Sequence, residues 1–113
     1  MRKDPLIFIK HILESIDKIE AFSKNLSKKT LSKNELKQYA IIRAIEVIGE
    51  SVKNLPDSLK NKYPNVPWKE IAGTRDKMIH HYFGVDLNIV WDIVSKEIPK
   101  LKEDIKDILK KEK

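Results

Sequence analysis

Apolar residues recur at helical spacing along three long stretches, and little interrupts them. Three glycines and five prolines punctuate the whole chain, too few for the turns of a many-stranded β fold, so the pattern predicts long helices. Asp4-Pro5 opens the first, because Asp is a strong N-cap and Pro is favoured at the first helical position. Leu6, Ile9, Leu13 and Ile16 keep one stripe, widened by Ile12, Ile19 and Phe22, and the helix is expected to end near Asn25. A Lys/Ser/Asn-rich linker follows from Ser27 to Lys33. Ser32-Lys33-Asn34-Glu35 has the form of a capping box and starts a second helix, which runs to about Asn54. Its core stripe is Ile41, Ile45, Ile48, Val52 and Leu55. The segment PDSLKNKYPNVPW predicts a helical turn near Asp57 to Asn61, then an extended connection from Tyr63 to Pro67, with one more helical turn from Trp68 to Ala72. The last helix, capped by Asp86, carries Leu87, Trp91, Val94, Ile98, Leu101, Ile105 and Ile108. That near-heptad repeat suits an antiparallel bundle. Pro99 is expected to bend this helix, and the lysine-rich tail is expected to fray. The fold class is therefore all-α, an up-and-down antiparallel helical bundle, and 113 residues suit a single domain, 1–113.

Composition narrows the function. The chain is 41% hydrophobic and 35% charged, as in a folded domain rather than a disordered one. It has no cysteine, which excludes disulfides and thiolate metal sites. No apolar run approaches the ~20 residues of a membrane span. Lys10 and His11 break the first apolar run, so no signal peptide is expected and the expected location is the cytoplasm. The net charge of +6 suits a polyanionic partner, although lysines on helices are commonly just solvated. Arginine is scarce, three of 23 basic residues, so Arg43 and Arg75 mark places where a planar, bidentate donor is called for.

The chemically versatile residues gather between two glycines, in Gly73-Thr74-Arg75-Asp76-Lys77-Met78-Ile79-His80-His81-Tyr82-Phe83-Gly84. Thr74 is placed to cap a helix over this stretch. On such a helix Tyr82 lies about 20° from Arg75, and His80 about 140° away. Either the long arginine reaches round, or a second copy completes the site by two-fold pairing. Histidine can take a proton from a ribose 2′-OH or give one to a leaving 5′-oxygen. Arginine offers a fixed fork to the phosphate. The set therefore suits RNA phosphodiester cleavage without a metal or cofactor, although the same residue types also serve as caps and packing. His80 and His81 diverge on a helix, which disfavours metal binding. A second stripe on the central helix, Leu36, Tyr39, Arg43, Glu46 and Glu50, is either an exposed ion-pair face or a polar wall against the motif helix or a partner subunit. His11, on the first helix, is read as structural or exposed.

RDKMIHHY, from Arg75 to Tyr82, has the spacing of Arg, four residues, His, one residue, Tyr. With RAIEVIGE (43–50) and VPWKEIAGTRDKMIHHYFGVDLNIVW (66–91), it resembles the HEPN ribonuclease toxins of the HepT type over most of the chain. The resemblance implies a HEPN-like bundle, a homodimer and a metal-independent RNase with Arg75 and His80 catalytic. It also implies an MntA-type nucleotidyltransferase antitoxin that transfers AMP to Tyr82. Arg43, Glu46 and Asp76 would be supporting residues. Asp76 departs from the Asn common in that family; its charge would either weaken phosphate binding or hold Arg75 in place. The competing expectations are a non-catalytic helical module binding RNA or a nucleotidyltransferase partner, and a plain dimerisation bundle.

Overall fold

The structure, a computed structural model, describes residues 4–78 and 86–112. Among these residues nine helical segments follow one another: α1 (Pro5–Ser23), α2 (Lys28–Ser32), α3 (Glu35–Lys53), α4 (Asp57–Lys62), α5 (Trp68–Ala72), α6 (Thr74–Met78), α7 (Leu87–Asp92), a π turn (Ile93–Glu97) and α8 (Ile98–Lys111). There is no strand among the described residues. No helix among them is long and apolar enough to cross a membrane.

Three long elements build the bundle. Asp4 accepts from the Leu6 N–H and Pro5 begins α1, as the sequence predicts. The helix ends at Ser23, and Asn25 sits at φ 63°, a left-handed conformation that Asn tolerates better than most residues. Lys37 near the start of α3 stands over the Phe22 ring near the end of α1, so α1 and α3 run antiparallel. Lys102 early in α8 pairs with Asp17 and Glu20 late in α1, so α8 also opposes α1. Ile9, Ile12, Ile16 and Ile19 of α1 meet Ile41, Ile45, Ile48 and Val52 of α3 and Ile105 and Ile108 of α8, all at most 2% exposed. The buried face of α1 is thus centred on Ile12 and Ile16, with Leu6, Leu13 and Phe22 at its margins.

Several local expectations give way. The stretch from Ser27 to Lys33 is not a linker but a helical turn closed by a capping box between Ser27 and Thr30; its Leu31 is fully buried, and that burial holds the turn. Ser32 therefore ends α2, and Asn34 rather than Ser32 caps α3 by accepting from the Lys37 N–H. The connection from Tyr63 to Pro67 holds a tight turn rather than running extended throughout: Val66 N–H donates to the Tyr63 carbonyl at 3.2 Å, with Pro64 supplying the φ that the second residue of such a turn needs. The long last element widens into a π turn just before Pro99. The Ile98 N–H reaches back five residues to the Ile93 carbonyl, which gives the proline ring room where an α turn would press it on a carbonyl. Among the described residues α8 runs to Lys111, and Glu112 beyond it is held by Lys62 at 2.8 Å and by the Tyr63 hydroxyl.

Candidate active site

Arg75 lies in the first turn of α6, and Gly49 explains how α6 reaches α3. A Cβ on Gly49 would stand 3.4 Å from the Ile71 carbonyl and 3.5 Å from the Ala72 carbonyl, so the α5–α6 backbone rests almost directly on α3. Gly73 separates α5 from α6, and its carbonyl accepts from the Asp76 N–H. Thr74 is buried, but its hydroxyl donates backward to the Ile71 carbonyl at 2.8 Å instead of capping the helix ahead. The Asp86 N–H donates to the Met78 carbonyl at 2.7 Å, so the chain returns to the end of α6.

This close seating brings Arg75 to Glu46. The Arg75 Nε donates to Glu46 Oε2 at 3.1 Å, with 61% of the arginine side chain exposed and 27% of the glutamate. The bond uses Nε, and among the described residues no hydrogen bond engages the terminal amino groups of the fork. Arg43 is exposed, and its expected neighbours pair elsewhere: Glu46 with Arg75, and Glu50 with Lys53. Asp76 is also exposed, and the carboxylate that holds Arg75 is Glu46. The second stripe of α3 therefore divides. Glu46 faces the motif helix, while Leu36 (78% exposed) and Tyr39 (66%) stand in solvent. His80, His81 and Tyr82 lie outside the described residues, as does the continuation of the motif helix past Met78. His11 is exposed, with its ring edge-on to Phe8.

A feature that the sequence reading missed lies two turns further along the same face of α3. Lys53, Lys60 and Lys69 line an open groove with Asn61, Pro64 and Trp68. The Trp68 indole N–H donates to the Lys60 and Tyr63 carbonyls, which fixes the groove wall. Asp57, also in the groove, pairs with Lys60 at 3.7 Å. Pro67-Trp68-Lys69 was the available signal, but only folding brings Lys53 and Lys60 beside it.

Fold and site together define a helical-bundle protein that sets an exposed, carboxylate-held arginine beside a basic groove. Residues 12–108 match the family described as ribonuclease HepT-like, and the chain belongs to that family of ribonucleases. A protein of Caldanaerobacter subterraneus subsp. tengcongensis, assigned by name as an RNase, is 45% identical over 111 residues, covering 98% of this chain and 99% of that one. A protein of Thermococcus cleftensis, assigned by name as ribonuclease HepT, is 40% identical over 102 residues, 90% of this chain and 93% of that one. A third, from Methanocaldococcus jannaschii, is assigned by name as both a gamma-glutamylcyclotransferase and an RNase. It is 50% identical over 109 residues, 96% of this chain, and the chain spans 49% of its length. No solved structure gives a significant match.

Proposed function

We propose that this chain is the toxin of a toxin–antitoxin pair, a metal-independent RNase that works in the cytoplasm as a homodimer. Arg75 and His80 are its catalytic residues. The observation that carries this reading is the Arg75–Glu46 pair, which orients a guanidinium with its terminal N–H groups free for a phosphate. In the proposed reaction His80 removes the proton from a ribose 2′-OH. The oxygen attacks the adjacent phosphorus, the bond to the 5′-oxygen breaks, and that oxygen takes up a proton. The products are a 2′,3′-cyclic phosphate and a 5′-hydroxyl. Arg75 donates to the non-bridging oxygens as charge grows on them. Glu46 holds Arg75, and by occupying that guanidinium edge it offsets its own repulsion of RNA. Lys53, Lys60 and Lys69 fit the flanking phosphates.

The exposed Leu36 and Tyr39, on the same stripe as Arg43 and Glu46, fit a face covered by a second copy, which would supply a second Arg75 and His80. An MntA-type nucleotidyltransferase acts as antitoxin by adding AMP to Tyr82, placing bulk and negative charge where RNA phosphate would sit. The test is intact mass of the protein co-expressed with a candidate nucleotidyltransferase and ATP, followed by RNA cleavage before and after modification. The expected result is a mass gain of one or more AMP units on Tyr82, absent in Tyr82→Phe, together with loss of cleavage. His80→Ala should keep helix content and the dimeric state but lose cleavage. Undiminished cleavage by that variant would reject the catalytic assignment.

A further inference from the structure

On the inner side of α6, away from Arg75, the bundle is not filled. A cavity of about 150 Å³ lies between α3, α5–α6, the π turn and the start of α8. Its walls are apolar, including Ile45, Ile48, Ile71, Ile93, Ile98 and Leu101. Asp104, half-buried, also lines it, and its Oδ2 is covered by protein without a hydrogen-bond partner among the described residues. We propose that this cavity is a binding site for a small apolar molecule carrying one protonated amine, with the Asp104 carboxylate as its anchor.

Three observations converge on that ligand class. The first is size: a void of roughly 150 Å³ with aliphatic walls accepts a molecule about as large as benzene. The second is the orphaned acceptor. A buried carboxylate oxygen without a donor is costly to maintain. The Thr74 hydroxyl, also in the lining, already donates to the Ile71 carbonyl. The third is charge. Glu97, Lys100 and Asp104 are the charged lining residues; ionised, they leave one net negative charge, which one ammonium balances. The π turn supplies Ile93 and Glu97 to the wall, and such turns are frequent at functional sites. Burial also raises the Asp104 pKa, with Glu103 and Asp107 adding to it and Lys100 opposing it. A cation bound at the carboxylate would reverse that shift.

The full chain, with its isoleucine methyl groups isotope-labelled, would be titrated with benzylamine and with benzyl alcohol while the methyl resonances are followed. Benzylamine should produce saturable shifts in Ile45, Ile71, Ile93 and Ile98 with a Kd on the order of 1 mM. Benzyl alcohol, of nearly the same shape and without charge, should bind at least tenfold more weakly. Asp104→Asn should weaken benzylamine by a similar factor and leave benzyl alcohol unchanged. Absent or non-saturating shifts would overturn the site. Equal binding of the two probes by the parent chain would overturn the carboxylate anchor, and that comparison needs no variant to fold. A crystal or NMR structure with the Lys100 ammonium already seated on Asp104 Oδ2 would also overturn it.

Discussion

Arg75 combines exposure with a fixed direction, and a single carboxylate supplies the direction. On the proposed reading, Arg75→Lys keeps the positive charge but loses the fork that lets one edge hold Glu46 while the other meets phosphate. Cleavage should fall by about 10²–10³-fold, read as kcat with helix content unchanged. Glu46→Gln keeps the size and removes the ionic hold, so kcat should drop less than in Arg75→Lys. A Glu46→Gln enzyme with parental kcat would show that Arg75 does not need this partner. Asp104 makes a different residue-scale prediction. Burial raises its pKa above the ordinary carboxylate value, so the folded state holds the proton more tightly than the unfolded chain. Stability is then favoured at low pH and falls as pH rises from about 4 through the raised value. Asp104→Asn should flatten that fall in urea unfolding followed across the acid range; an unchanged slope would mean that Asp104 is not its source.

At the scale of elements, close approach of α3 to α5–α6 decides the site. Gly49→Ala places a methyl at ordinary contact distance from the Ile71 and Ala72 carbonyls and should be tolerated. Gly49→Leu has nowhere to go and should push α6 off α3, parting Arg75 from Glu46. The expected readout is loss of cleavage beyond what the change in melting temperature explains. The end of α8 carries a pH-dependent clamp. Hydrogen bonds from Lys62 and then Tyr63 lower the Glu112 pKa, and the bond to Glu112 pushes the Tyr63 hydroxyl up to about 12. A carboxylate depressed in the folded state stabilises above its unfolded pKa and loses that contribution as pH falls through the folded one. Amide exchange in the last turn of α8 should therefore speed up in acid, and Glu112→Gln should show the faster exchange already at neutral pH.

For the whole molecule, the predictions concern charge and assembly. If Lys53 and Lys69 neutralise RNA phosphates, Lys53→Glu with Lys69→Glu should weaken RNA binding. It should also reduce the slope of log affinity against log salt by about 0.7 for each single-strand phosphate that is no longer neutralised. If Leu36 and Tyr39 lie under a second copy, Leu36→Glu with Tyr39→Glu should shift the solution mass toward the monomer and reduce cleavage with it. A parental mass would place any dimer elsewhere.

The helical pattern was legible along the chain because apolar spacing and strong caps are local properties. Asp4-Pro5, the isoleucine stripes of α1 and α3, and the repeat in the last helix all report a core that any observer of the period can find. The Arg75-to-Tyr82 motif and the HepT-like family were legible for the same reason, being contiguous. Other features depended on residues far apart in the chain. Asn34 displaced Ser32 as the cap because burial of Leu31 gave the preceding residues a helix of their own. Pro99 follows a π turn, with Ile93 and Ile98 buried on either side of that turn's end. The pairing of Glu46 with Arg75 arises where α3 meets α6, the lysine groove where α3, α4 and α5 meet, and the unfilled space at Asp104 where α3, α5–α6 and α8 meet. Sequence spacing carries the period of each helix; which side chains meet across helices depends on their relative positions, and those were settled by the tertiary structure.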